Sequence, residues 1–306
     1  MRHRVSPWLV LTLLAGVCVS IIVAVAYLRS QKYSTAGLLQ RLPSEGAVVL
    51  YIDFAALRRA EVLDLFASSA VAQEPEYRAF VESTGFNYLQ DLDSALVSFH
   101  KTGKYLLLRG RFDWRNISQY VRAQGGRCNN SFCRMEGSTA ERQISYFPLQ
   151  PNIMALAVST DGDAASRLQT RHPGPRLEVL ADPVWSVIPA AVLKDSAELP
   201  AGMRMFARAL QGTQKIVLSG APEGPRLRLQ LDATCNTAED AAALAVQLRA
   251  VTALLRELIA RERQAPNPRD LSGILTAGVF EQRGRRVIGY WPVERAFLES
   301  LAVGAL

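Results

Sequence analysis

The sequence predicts an α+β protein. An N-terminal transmembrane helix precedes a duplicated hairpin-helix-hairpin-helix body, mainly antiparallel sheet covered by helices. Three observations predict it. Trp8 to Leu28 contains no charged residue. Beyond it, runs rich in β-branched and aromatic residues come in pairs separated by short turns, which is the pattern of hairpins. Amphipathic stretches follow those pairs, once on each side of Arg171-His172-Pro173-Gly174-Pro175-Arg176. Hairpins alternating with helices favour an antiparallel sheet over the strict strand-helix alternation of a doubly wound parallel one.

At about 1.5 Å rise per residue, Trp8 to Leu28 spans a hydrocarbon core of about 30 Å. The basic start, Met1-Arg2-His3-Arg4, is of the kind retained in the cytoplasm, so the body is expected on the other side. The bilayer, through residues 8–28, is the first expected partner. Ala24-Val25-Ala26 resembles a signal-peptidase site, and cleavage after Ala26 would make the protein secreted, although the apolar run is long for a signal peptide. Cys18 follows Val17 where a lipoprotein box wants a small residue. Each of these readings exports the body.

Ser30 to Ser34 reads as a tether and Leu38 to Pro43 as a brief helix. Ala47 to Phe54 reads as a buried strand, and Ala55 to Ala67 as a helix with Leu57, Val62, Leu63 and Phe66 on one face. A helix over Tyr77 to Ser83 precedes a hairpin of Ser94 to His100 and Lys104 to Phe112, turning at Lys101-Thr102-Gly103. Asp113 caps a helix over Trp114 to Arg122. Gln143 to Pro148 and Ile153 to Val158 are further strands, and Asp161-Gly162-Asp163 caps a helix over Ala164 to Gln169.

The prolines and glycine of residues 171–176 mark a boundary, dividing the chain into the anchor at 1–29 and halves at 30–171 and 177–306. The second half reads as helices over Asp182 to Ala191 and Met203 to Leu210, then a hairpin of Gln214 to Ala221 and Arg226 to Ala233. A long helix, Ala238 to Arg263, opens at Thr237 with Asp240 at capping-box spacing. A hairpin of Val279 to Gln282 and Arg286 to Tyr290 precedes a closing helix, Pro292 to Leu301, with its proline in the first turn.

The net charge of +7 includes Arg2 and Arg4 of the cytoplasmic end, and no lysine- or arginine-rich run that would neutralise phosphates is present. A nucleic-acid partner is not expected. Cys128 and Cys133 enclose Asn129-Asn130-Ser131-Phe132, a polar turn between two extended arms, so a disulfide is the expected use in an exported protein. Four intervening residues would also suit a zinc knuckle, but no second Cys or His pair follows. Cys235 reads as a small buried hydrophobe.

Leu42-Pro43 through Val48-Val49-Leu50-Tyr51-Ile52-Asp53, Thr84-Gly85-Phe86, Asp91-Leu92-Asp93 and Gly110-Arg111-Phe112-Asp113 occur in that order. In this the chain, over Leu42 to Leu301, resembles a domain-of-unknown-function family of bacterial exported, duplicated α+β proteins. The resemblance implies a fold and an exported location, and no activity.

Enzyme signatures are missing. There is no G-x-S-x-G, H-E-x-x-H, Walker or G-x-G-x-x-G motif, and neither catalytic residues nor cofactors are expected. His100 at a hairpin turn and His172 in the proline linker read as loop residues. Asp91 and Asp93 form the best carboxylate pair, but beside Leu92 they more simply end a helix and start a turn. Asp161 and Asp163 lack the later ligands of a calcium loop. Leu244, Leu248, Val251, Leu255 and Leu258 follow a heptad-like seam that would suit a partner helix, although a helix lying on a sheet needs the same stripe.

The preferred expectation is a non-enzymatic binding or assembly module of the cell envelope, membrane-anchored and extracytoplasmic, with another envelope protein as its partner. The alternatives are an exported hydrolase or lipid-carrying domain with a site assembled from distant residues, and a polysaccharide binder using Trp114, Trp185 and Trp291.

Overall fold

A computed structural model of the chain describes residues 32–66, 75–137, 139, 142–172, 177–194, 200–224 and 226–303. The expected anchor at 8–28, Cys18, Ala24-Val25-Ala26 and the linker at 173–176 lie outside the described residues. Among those described, no helix is long and apolar enough to cross a membrane.

The body is α+β, with a large antiparallel sheet covered by helices. In the first half the elements are α1 (Thr35–Leu39), β1 (Val48–Asp53), α2 (Phe54–Arg59), α3 (Pro75–Thr84), α4 (Tyr88–Asp91), β2 (Leu92–His100), β3 (Gly103–Gly110), α5 (Trp114–Ala123), β4 (Arg127–Asn129), β5 (Phe132–Glu136), β6 (Gln143–Gln150) and β7 (Ile153–Ser159). The second half has β8 (Val184–Pro189), α6 (Ala201–Leu210), β9 (Lys215–Glu223), β10 (Arg226–Thr234), α7 (Ala238–Arg261), α8 (Leu271–Thr276), β11 (Val279–Arg283), β12 (Arg286–Val293) and α9 (Arg295–Ala302).

The strands form one sheet in the order β11-β12-β10-β9-β8-β1-β2-β3-β7-β6-β5-β4. Read outward from the centre, β1-β2-β3-β7-β6 and β8-β9-β10-β12-β11 follow the same path, so the two halves repeat one topology. They meet where β1 pairs antiparallel with β8. The β4–β5 hairpin is extra to the first half and extends that edge.

Strand alternation fixes which helices share a face. The cross-strand partners Val217, Val187, Val49, Ser98, Tyr105 and Ala157 lie on one face. In the first half this face is buried under α1 and the 3-10 helix Ala164–Gln169, around Trp185, Leu107, Leu42 and Leu168. On the opposite face lie Leu218, Ser186, Leu50, Val97, Leu106 and Leu156, also cross-strand partners. Here α5 packs Ile117 and Val121 on Tyr146 and Met154. At the other end of the same face, α7 packs Ala241, Leu244 and Leu248 on Leu231, Ala233 and Val287.

Strand β10 shows the alternation plainly. Leu227, Leu229, Leu231 and Ala233 face the second-half core, while Arg226, Arg228, Gln230 and Asp232 face outward. There Arg228 pairs with Asp182 at 3.0 Å and Arg286 pairs with Asp232. One face buried and one wet is the ordinary solution for an antiparallel sheet.

Four expectations are corrected. The segment expected as a helix over Asp182 to Ala191 is strand β8. Its Val-Trp-Ser-Val-Ile core prefers a pleated surface, and Trp185 and Val187 alternate into the core. The helix expected from Ala55 breaks after Arg59, where Glu61 takes a positive φ of 58°, and resumes only as a 3-10 turn over Leu63–Phe66; Ala67 lies outside the described residues. Pro292 does not open the last helix but ends β12. Strand β11 stops opposite Tyr290, so Pro292 has a neighbouring strand on one side only. Asp163 precedes the Ala164–Gln169 helix without a side-chain cap bond. It pairs instead with Arg134, and Asp161 Oδ1 accepts from the Asp163 backbone N–H at 2.9 Å.

Candidate functional site

Three of the short motifs singled out in the sequence converge. Thr84-Gly85-Phe86, Asp91, and Arg111-Phe112-Asp113 line one surface hollow of about 520 Å³ together with Trp114. Each of their polar groups is occupied within the fold. The Thr84 hydroxyl donates to the Phe80 carbonyl at 2.7 Å and accepts from the Phe86 N–H at 3.2 Å. Asp91 accepts from the Asn87 N–H at 2.9 Å through one oxygen and from the Arg111 guanidinium at 2.9 Å through the other. Asp113 accepts from the Arg115 and Asn116 N–H groups at 3.0 Å, capping α5 as its position predicts.

Gly110 lets the strand end press against α4, since a Cβ there would run into the Asp91 carbonyl oxygen. Phe86 stacks on Phe112 with ring centroids 5.3 Å apart, and Phe112 lies 5.2 Å from Trp114. These residues build a junction holding α3, α4, β3 and α5 together. Asp93 sits apart from the Asp91 pairing, where the β2 register shifts between Leu92 and Ser94.

A second cleft, of about 740 Å³, lies at the tip of the β2–β3 hairpin. Lys101 and Lys104 flank the turn, Arg142 enters just before β6, and Arg167 comes from the 3-10 helix after β7. Among the described residues, Lys101, Lys104 and Arg142 have no carboxylate partner, and Arg167 reaches Asp161 at 3.4 Å. Among the described lining residues, four cations thus face one carboxylate, with Glu45 near enough to act on His100. Phe99 and Val192, 42 % and 41 % exposed, supply its apolar wall.

Beneath the turn is a short hydrogen-bonded chain. The Thr102 backbone N–H donates to His100 Nδ1 at 3.2 Å, which makes Nδ1 an acceptor and leaves the ring proton on Nε2. The Thr102 hydroxyl therefore donates to Nδ1 at 2.8 Å and accepts from the buried Tyr105 hydroxyl at 2.9 Å. Burial, together with the fields of Lys101 and Arg167, holds His100 below the ordinary histidine pKa. The cleft combines segments around residues 101, 142 and 167 that only the β3–β7 and β6–β7 pairings bring together. In the sequence, the one local sign was a glycine turn carrying a lysine on each side.

The other expected residues fall as follows. Cys128 and Cys133 are bonded, opposite one another on β4 and β5 with Cα atoms 4.0 Å apart. Asn130 and Ser131 between them both take positive φ, as a two-residue type I′ turn requires. Cys235 is buried, and burial followed by Asp240 pushes its thiol pKa up.

The Leu244-to-Leu258 stripe serves mostly as cover for its own sheet, the second of the two uses its spacing suits. Leu244 and Leu248 are buried, Val251 and Leu255 pack on the same core, and Leu258 is 43 % exposed. The tryptophan platform is also corrected. Trp185 and Trp291 are buried in separate cores, while Trp114 donates its indole N–H to the Pro151 carbonyl at 2.8 Å. His172 donates its backbone N–H to the Gln40 carbonyl at 2.7 Å, tying the end of the first half to α1.

No family model matches this chain, and no curated protein matches it. Among solved structures, crystal form III of TP0453 superposes with a TM-score of 0.50 at 12 % identity, covering 86 % of this chain and 97 % of that one. Crystal form I of TP0453 gives 0.49 at 12 % identity over 88 % and 97 %. At this identity the likeness concerns the fold.

Proposed function

We propose that the protein is a non-enzymatic binding or assembly module of the cell envelope, held by a single N-in transmembrane helix over residues 8–28 with its body outside the cytoplasm. The Cys128–Cys133 bond carries this reading. Such bonds form and persist in oxidising compartments and are rare in the cytosol. The uncharged Trp8-to-Leu28 run supplies the route out, and the basic residues before it set the orientation. Binding rather than catalysis is supported by the motif junction, where Thr84, Asp91, Arg111 and Asp113 are all engaged in holding elements together.

The test is topological. Alkaline phosphatase, which needs its own disulfides, is fused to the C-terminus of the full chain in a bacterial host. Activity that stays with carbonate-washed membranes is expected. Activity released into the periplasm or medium, with a mature N-terminus at Tyr27, would convert anchored into secreted. An inactive fusion retained in the cytoplasm would overturn the export reading.

A further inference from the structure

We propose that the cationic cleft at the β2–β3 tip is a binding site for a phosphate-bearing ligand presented on the side of the body away from the anchoring membrane. The proposal rests on the binding-module reading, and for its direction on the anchor reading. Among the described residues, three of the four cations lining the cleft have no carboxylate partner, so positive charge prevails there although Glu45 acts on the neighbouring His100. Two of them are lysines, compact point charges with three donors each, suited to phosphate oxygens that arrive from varied directions. The Thr102–Tyr105 hydroxyl pair braces the turn that carries both lysines, and the Ser159 hydroxyl donates to the Thr102 carbonyl at 2.7 Å, so the turn is held before any ligand arrives. Phe99 and Val192 give an apolar wall against which the non-phosphate part of a ligand can lie.

The direction follows from the strand. The described chain begins at Lys32, three residues after Arg29 closes the apolar run, and the Arg109 guanidinium donates to the carbonyl of Tyr33. Arg109 and the tip residue Gly103 stand at opposite ends of β3, about 20 Å apart at 3.4 Å per residue. A body tethered at the Tyr33 end turns its Lys101–Lys104 end outward. The ligand is therefore a phosphorylated solute or polymer outside the membrane rather than a headgroup of the bilayer that anchors the protein.

The experiment uses the full chain in non-ionic detergent and titrates inorganic pyrophosphate, with affinity read from the rise in Tm with ligand concentration. Wild type is expected to bind. A Lys101→Ala/Lys104→Ala variant is expected to lose affinity at least about tenfold, since each removes a charge-assisted contact. Arg142→Gln, on a different segment, is expected to weaken binding in the same sense. Arg283→Gln, at the far edge of the sheet, is expected to bind as wild type does. All four side chains are exposed, so each variant should keep the ligand-free Tm.

Equal affinity in wild type and the lysine variant, or in Arg283→Gln and Arg142→Gln, would mean an adventitious ion only and would overturn the site. In a second arm, wild type is reconstituted in neutral phosphatidylcholine vesicles at graded phosphatidylglycerol content. Lysine-dependent loss of pyrophosphate binding as phosphatidylglycerol rises would identify the anchoring bilayer's headgroups as the source and overturn the stated direction. Unchanged pyrophosphate binding supports it. Failure of the topological fusion leaves the pyrophosphate result standing, and failure of the titration leaves the anchor standing.

Discussion

The Tyr51 ring lies 5.3 Å from the Trp185 indole, their planes 26° apart, at directly opposed positions of β1 and β8. The two halves of the chain meet as one sheet at this pair. Trp185 has no exposed surface, and Tyr51 packs against the same core. Burial, the larger effect, and then the charge of Asp53 raise the Tyr51 pKa, so its hydroxyl stays protonated near neutral pH.

Trp185→Ala should therefore destabilise the whole sheet, by about 3–5 kcal/mol for a buried tryptophan truncation. Trp185→Phe should cost much less. Among the described residues the indole N–H has no hydrogen-bond partner, so the ring's volume and stacking are what matter. Denaturant midpoints of the two variants check this, and similar losses in both would show that the stack is not the determinant.

The motif junction makes a comparison between Gly110 and Arg111. Gly110→Ala forces a Cβ against the backbone carbonyl of Asp91, which cannot yield as a flexible side chain would, and should lower Tm by several degrees. Arg111→Ala removes an ion pair whose arginine is 72 % exposed, and should change stability by less than about 1 kcal/mol. Thermal melts of the two variants in parallel decide it, and the reverse order would mean that the ion pair holds the junction.

The hairpins and the long helix were legible because their signals are local. Period-two alternation in β9 and β10 and the reciprocal Thr237–Asp240 cap of α7 are read within a few residues. Strand β8 was not legible, because Pro183 before a short apolar run fits a helix start as well as a strand. Only the partner strands β1 and β9 on either side distinguish the two. As a strand, β8 is the first strand of the second half and completes the topological repeat. The basic cleft was out of reach for the same reason, since Arg142 and Arg167 join Lys101 through strand pairing and not through sequence spacing.

The bridged hairpin predicts a thiol pattern. Unfolded without reductant, the full chain should take up alkylating label at Cys18 and Cys235 only; with reductant, all four cysteines should label. The loop closed by the bond is short, so the Cys128→Ala/Cys133→Ala variant should lose only about 2 kcal/mol and still fold. Mass spectrometry of labelled peptides and a urea midpoint measure the two effects. Label at Cys133 without reductant would remove the argument for an oxidising compartment.

His100 gives the sharpest pH dependence. Burial first, and then Lys101 and Arg167, hold its pKa below 6.5; His172 acts in the same direction, and Glu45 opposes them. Between that lowered value and about 6.5, the unfolded chain binds a proton that the folded chain does not, so stability rises with pH across this window. The contribution is fully present above about pH 6.5 and is lost as pH falls through the folded value. Wild type should therefore lose more stability than His100→Gln between pH 7.5 and 5.5. Lys101→Ala should raise the His100 pKa toward the ordinary value and shrink that difference. Pyrophosphate seated among Lys101, Lys104 and Arg142 should raise it in wild type by cancelling the same field. Ring proton shifts followed by NMR against pH give the titration directly, and a His100 that titrates at or above 6.5 in ligand-free wild type would show that the cleft lacks the uncompensated positive field on which both effects depend.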